Sequence, residues 1–270
     1  MEPKPVQKVA LPNIQHIIVV ASGKGGVGKS TIAANLAVSL SRQGYRTALV
    51  DADLYGPSIP LMFGIQEERP RLISRDNKEI FSPVIKYGVK IISIGFFLPP
   101  DRSLIWRGPL VSNALLQLFT NTEWGEIDYM IVDFPPGTGD IQITTTQKLN
   151  LSGAIIVTTP QEIALSDARK AAAMFTHTNV NVPIIGIIEN MAWFTPAQHP
   201  DEKYYLFGKD GGYKLSREFN VPLLGQIPLV TDIEESAERG VTIYNQPQEY
   251  LITLFDDISN LILDNMTPTK

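Results

Sequence analysis

The sequence predicts an α/β fold built on a mostly parallel, doubly wound sheet with helices on both faces. Three observations predict it. Apolar runs of strand length alternate with amphipathic helical stretches nearly to the end of the chain, the pattern of a sheet covered on both sides. A glycine-rich turn, Gly23 to Ser30 (GKGGVGKS), follows the first apolar run and opens a helix, where such sheets place phosphate-binding turns. Acidic residues close two further runs, in TALVDAD and YMIVDFPPGTGD, at the sheet edge where ligands are bound. With 270 residues, 44% of them hydrophobic, the chain is long enough for one large domain and short for two.

In chain order, His16 to Ala21 (HIIVVA) reads as the first strand and Lys29 to Arg42 as the helix it feeds. Thr47 to Val50 is a second strand, ending on Asp51 and Asp53, and Val89 to Ile94 a third. A helix over Pro109 to Phe119 precedes the strand Tyr129 to Val132, which ends on Asp133. Helix and strand then alternate: Ile141 to Lys148, Ala154 to Thr158, Ile163 to Thr178, Ile184 to Ile188, Gly212 to Phe219 and Leu223 to Ile227. Helices over Ile233 to Arg239 and Gln248 to Leu263 close the chain. The last places Tyr250, Leu251, Leu254, Phe255, Ile258, Leu261 and Ile262 on one face. Its polar face carries Asp256, Asp257 and Asn260 with no Lys or Arg, so packing against the sheet is expected rather than a membrane surface.

Gly23 to Ser30 satisfies G-x-x-x-x-G-K-S. Successive N–H groups of Gly23, Lys24, Gly25, Gly26, Val27 and Gly28 are suited to wrap phosphates, helped by the positive end of the following helix. Lys29 is expected on the β and γ phosphates, the Ser30 hydroxyl on Mg²⁺, and Thr31 at the α phosphate. Gly23, Gly25 and Gly28 also spell a dinucleotide fingerprint, and Lys29-Ser30 turns the reading toward a nucleoside triphosphate. Asp133 fits a carboxylate that holds Mg²⁺ through water, Asp53 a residue that orients the attacking water, and Asp51 a neighbour of the metal. Pro135, Pro136 and Gly137 make a stiff segment hinged by glycine, a candidate switch that senses the γ phosphate. No N-K-x-D motif is present, which favours adenine, and Asn190 is the candidate base contact because its amide both donates and accepts.

Residues 15–265 are therefore expected to form a single P-loop ATPase domain. Residues 1–14, with three prolines, read as an extended lead-in or linker, and residues 266–270 as a tail. The net charge of −5 supplies no basic field of the kind that draws proteins to nucleic acid or anionic lipid, and neither partner is expected. No window approaches the roughly 18 apolar residues of a membrane span, and the start lacks a signal peptide's apolar core, so a cytoplasmic protein is expected. Cysteine is absent, which removes disulfides, thiol redox chemistry and cysteine metal sites.

The stretches KGGVGKST, DADLYGPSIP and VDFPPGTGD resemble the deviant-Walker, SIMIBI-type P-loop NTPases that include the MinD and ParA ATPases and nitrogenase iron protein. IWRGP (Ile105 to Pro109), TTPQEIALSDARK (Thr158 to Lys170), IIGIIENM (Ile184 to Met191) and VPLLGQIPL (Val221 to Leu229) narrow the resemblance to the Mrp/ApbC family of ATP-dependent iron-sulfur cluster carriers. The resemblance implies ATP and Mg²⁺ as cofactors and a homodimer closed across the nucleotide, in which Lys24 crosses to the nucleotide of a second copy. It also implies iron-sulfur scaffold or client proteins as partners, and an iron-sulfur cluster held by C-x-x-C shortly after the segment ENMAWF. Here Thr195, Pro196, Ala197 and Gln198 stand in that neighbourhood, and none is a thiolate. His199, Asp201 and Glu202 are hard-metal ligand types, but a solvated charged loop is expected. Trp106 and Arg107 are candidates for nucleotide or partner contact. The alternative function is a MinD- or ParA-like regulatory or positioning switch that carries no cluster, which the absence of cysteine favours.

Overall fold

Successive side chains of a strand point to opposite faces, and in the central strands both sets are apolar. Ile17, Val19 and Ala21 enter one core together with Met130, Val132, Ala154 and Ile156. Ile18 and Val20 enter the other with Ile131, Ile155 and Val157. A sheet with two such faces is stable only when helices cover both.

The computed structural model describes residues 8–75, 78–98, 108–196, 198–245 and 248–266. The chain runs β1 (Ile14–Ala21), α1 (Lys29–Arg42), β2 (Thr47–Asp51), α2 (Ile59–Met62), β3 (Arg71–Arg75), β4 (Lys78–Ser82), β5 (Val84–Lys86), β6 (Val89–Ser93) and α3 (Gly108–Thr120). It continues through β7 (Ile127–Asp133), α4 (Asp140–Lys148), β8 (Gly153–Thr158), α5 (Glu162–Thr176), β9 (Ile184–Glu189), α6 (Gly211–Phe219), β10 (Leu223–Gln226), α7 (Thr231–Glu238) and α8 (Glu249–Met266). Eight strands form the main sheet in the order β10-β9-β8-β1-β7-β2-β6-β5. All its pairs are parallel except β5 with β6. Residues of α3 and α5, among them Val111, Leu115, Phe119 and Phe175, fill one core. Residues of α1 and α8, among them Leu36, Leu40, Phe255 and Ile262, fill the other.

The expected doubly wound sheet is present, with three additions. β3 and β4 form a separate two-stranded sheet, and β5 is a three-residue edge strand. These strands are charged and bury little (Leu72 is 60% exposed and Ile85 65%), so they lack the apolar runs that mark the central strands. Helix ends move by one to three residues: α5 stops at Thr176 because His177 is extended, α7 starts at Thr231 rather than Ile233, and α8 runs on to Met266. In the expected lead-in, the Val9 N–H donates to the Lys148 carbonyl at 2.7 Å, and Val9 and Leu11 pack on the core.

α8 buries Leu251, Phe255, Ile258 and Ile262, an i, i+4, i+7, i+11 stripe that seats on α1. Tyr250 and Leu261, expected on that face, are 50% and 41% exposed: each lies one helical step, about 100°, from the stripe. Asp256 bridges the helix to its neighbours, accepting from Ser39 Oγ at 2.5 Å and from Tyr244 OH at 2.8 Å. Among the described residues, no helix is long and apolar enough to cross a membrane. Truncating Phe255, which is 0% exposed, is expected to cost about 3–5 kcal/mol, while Leu261→Ala stays within about 0.5 kcal/mol. Urea denaturation of the two variants checks the contrast.

Candidate functional site

β1 ends at Ala21 and α1 begins at Lys29, so the glycine-rich turn sits at the carboxyl edge of the central strand. Two glycines are dictated by their surroundings. A Cβ on Gly23 would lie 2.1 Å from the Asp167 carbonyl carbon and oxygen of α5, so only glycine permits that backbone approach. Gly28 has φ of 82°, and a Cβ there would lie 2.1 Å from Asn190 Nδ2. Val27 is buried, whereas Gly25 and Gly26 stand open at the rim.

Lys29, the first residue of α1, is 6% exposed. Its ammonium lies 2.5 Å from Asp133 Oδ1, 3.2 Å from Asp53 Oδ2 and 3.4 Å from Ser30 Oγ. The sheet causes this convergence. β7 lies between β1 and β2, and pairing Val20 with Asp133 and Asp51 with Asp133 brings these strand ends level. Burial works against the Lys29 charge, but Asp133 and Asp53 outweigh it and hold the ammonium above its ordinary pKa. Burial lifts Asp133 above the ordinary carboxylate range against the pull of Lys29. Its second oxygen, Oδ2, is buried without a hydrogen-bond partner.

Asp51 does different work. Its Oδ1 accepts from the Asp53 N–H at 3.2 Å, and its Oδ2 accepts from the Ile59 N–H at 3.2 Å and the Ser93 hydroxyl at 2.8 Å. The carboxyl thus shapes the Asp53-to-Ile59 loop, with both oxygens taken by protein donors. Burial, and then the neighbouring Asp133, push it up to about 8.

A cavity of about 380 Å³ opens over Ser22, Lys24, Lys29, Ser30, Asp53 and Pro136. A second, of about 450 Å³, adjoins it and shares Gly28, Thr31, Ser58 and Met62; its far end is formed by Asn190, Met191 and Leu229. The cleft is therefore charged at one end and largely apolar at the other. Asn190 is 8% exposed and donates through Nδ2 to the Val27 carbonyl at 2.9 Å. Met191 follows with φ of 55°, a turn that Met rarely adopts. Lys24 is half-buried and its ammonium has no hydrogen bond or ion pair among the described residues.

The comparisons with known proteins agree with this architecture. Residues 13–263 match the family described as ParA, NUBPL iron-transfer P-loop NTPase. The chain belongs to that family. A protein of Aquifex aeolicus named iron-sulfur cluster carrier protein is 46% identical over 254 residues, covering 93% of this chain and 68% of its own. The nucleotide-binding protein of Archaeoglobus fulgidus, solved with ADP, superposes with a TM-score of 0.75 at 34% identity, over 89% of this chain and 92% of that one. MinD of Pyrococcus horikoshii, solved with Mg-ADP, shares the fold at TM-score 0.62 and 22% identity, over 91% of this chain and 94% of that one. The chain spans about two thirds of the length of several curated relatives it matches.

Within this P-loop NTPase of the NUBPL type, the structure gathers Lys29, Ser30, Asp51, Asp53 and Asp133 at one point and sets Asn190 at the other end of the cleft. The apolar wall, including Leu61, Met62, Leu229 and Ile233, escaped the sequence reading. Two stretches quoted for their family likeness touched it, IIGIIENM through Met191 and VPLLGQIPL through Leu229. His199 and Glu202 pair at 3.3 Å, each at least half exposed, and no group of three or more His, Asp or Glu is placed to hold a metal among the described residues. Trp106, Arg107 and Ala197 lie outside the described residues.

Asp51 gives the site a pH signature. An unfolded aspartate titrates near pH 4, so a folded value of about 8 makes the folded protein hold the proton more tightly. Stability is then greatest below the unfolded pKa and is lost as pH rises to about 8. Relative to Asp51→Asn, the natural chain should lose stability across that window and hold a constant gap above it. A gap flat from pH 4 upward would mean that the buried carboxyl is ionised throughout.

Proposed function

We propose that this chain is a Mg²⁺-dependent ATPase that works as a homodimer in iron-sulfur cluster assembly or transfer, in the cytoplasm. One observation carries the ATPase reading: the P-loop ammonium of Lys29 meets two strand-end carboxylates, one of which, Asp133, keeps a buried oxygen without a partner. Such an oxygen beside the Ser30 hydroxyl fits an octahedral Mg²⁺ and its waters. When bound, the ion neutralises charge between the β and γ phosphates.

The roles of the protein groups follow from their positions. N–H groups of Gly23 to Gly28 and the start of α1 cradle the phosphates, with Thr31 at the α phosphate. Lys29 leaves its carboxylates for the β and γ phosphates, and Ser30 and Asp133 hold the metal. Asp53, freed from Lys29, orients the attacking water. Asp51 keeps that loop in shape from behind rather than reaching the ion. At the apolar end the Asn190 amide nitrogen is committed to Val27, which leaves its oxygen to accept from the exocyclic amine of adenine, whereas guanine offers an acceptor there. Lys24, whose ammonium has no partner among the described residues, serves the nucleotide of a second copy, so that ATP stabilises the dimer. Residues 15–265 act as the ATPase unit.

The cluster is cargo in this reading. With no cysteine in the chain, its thiolate ligands come from a scaffold or client protein. The same absence favours a second reading, a positioning switch of the MinD or ParA type that never handles a cluster.

Three variants separate the ATPase roles. Lys29→Ala is expected to abolish nucleotide binding, and Asp53→Asn to bind normally while hydrolysis falls about 100-fold or more. Lys24→Ala should bind ATP yet stay monomeric by light scattering; full hydrolysis by Asp53→Asn would move the water-orienting role elsewhere. For the cargo, anaerobic incubation with iron, sulfide and ATP, followed by desalting, should leave this chain alone without cluster absorbance. Transfer of a cluster between scaffold and client proteins that speeds up on adding the chain with ATP separates the carrier reading from the switch.

A further inference from the structure

α4 follows the Pro135–Gly137 segment, and Gln142 on its first turns is buried, 6% exposed. Gln142 Nε2 donates to the Pro136 carbonyl at 2.6 Å. The N–H of the same peptide unit, that of Gly137, donates to the Ser22 carbonyl at 2.9 Å. A trans peptide is rigid and planar, with C=O and N–H pointing opposite ways. Two bonds at its two ends therefore fix its plane: α4 holds one edge and the P-loop the other. The Gly137 backbone, with φ of 93°, supplies the freedom for that plane to rotate. The Ser22 hydroxyl in turn donates to the Lys24 carbonyl at 2.8 Å, so the fixed plane also reaches the loop that presents Lys24.

We propose that Gln142 is a positioning residue that latches the Pro136–Gly137 peptide in a resting orientation, with the Gly137 N–H spent on the P-loop. Rotating the plane part-way, about a right angle away from both partners, breaks both bonds and releases that N–H toward the cleft that Ser22 and Pro136 line, where a γ phosphate, but not ADP, offers an acceptor. The latch thus sets how strongly the site prefers a triphosphate. The inference rests on the ATPase reading above.

Gln142→Met, which keeps length and apolar packing but removes the donor, tests it. Mg-AMPPNP and Mg-ADP are titrated into the full chain by calorimetry. Without the latch, AMPPNP should bind about fivefold to tenfold more tightly, the change one net hydrogen bond carries, with ADP affinity unchanged. Gln142→Leu, which likewise offers Pro136 no donor, should show the same split, guarding against an effect of methionine packing. Affinities for both nucleotides that stay at the natural values, or that weaken together, overturn the latch and leave the ATPase reading standing. A natural chain that binds neither nucleotide overturns that reading and the latch with it.

Discussion

The Lys29 ammonium, enclosed by Asp133 and Asp53 at the carboxyl edge of the sheet, is the interaction on which the rest depends. Charges this far from water persist only when paired. Their owners come from the start of α1, the end of β7 and the loop after β2. No local preference joins those segments. The strand order does, by inserting β7 between β1 and β2, and the two apolar cores hold that order in place. Burying the group is costly, and removing Lys29 would leave buried carboxylates unpaired at about 3–5 kcal/mol. The fold therefore stabilises a cluster that is poor as a structural device and well suited to meeting phosphates.

The phosphate loop is also held from outside itself. The α5 backbone presses on Gly23, the Gly137 N–H takes the Ser22 carbonyl, and the Asn190 amide takes the Val27 carbonyl. The first tether keeps the loop in shape, while the second and third come from the segments proposed to sense the γ phosphate and to contact the base. A glycine-rich turn has much conformational entropy to lose, and these contacts limit that loss before a ligand arrives. They also mean that a displacement at either end of the cleft is felt in the one loop between them.

How much was legible in the sequence follows the physics of each signal. The seven parallel strands announce themselves because a strand buried on both faces is an unbroken apolar run, and α1, α5 and α8 through their periodic apolar faces. β3, β4 and β5 carry no such signal. Strand ends and a glycine turn marked Lys29, Asp53 and Asp133, since parallel sheets deliver ligand groups there. The sequence did not separate Asp51 from its neighbours, because nothing local reveals that Ser93 and Ile59, far along the chain or behind the loop, occupy its oxygens. Gln142 was invisible for the same reason: its role depends on which peptide it reaches.

The missing thiolates divide the proposed function along a physical line. The segment after Asn190 is held by protein contacts: Phe194 and Tyr204 exchange backbone hydrogen bonds at 2.9 and 2.8 Å, and the Lys203 ammonium lies 3.8 Å from the centre of the Trp193 ring. The Leu229 N–H, in the wall of the cleft, donates to the Trp193 carbonyl at 2.8 Å, which joins the root of that segment to the apolar end of the cleft. Cysteines are therefore not required to build either element. A chain of this kind keeps the parts that respond to ATP and a mechanical connection to the surface beyond them, while the chemistry that grips iron and sulfide falls to a protein bound there. In that arrangement nucleotide state acts on the cargo through protein contact rather than through a ligand bond.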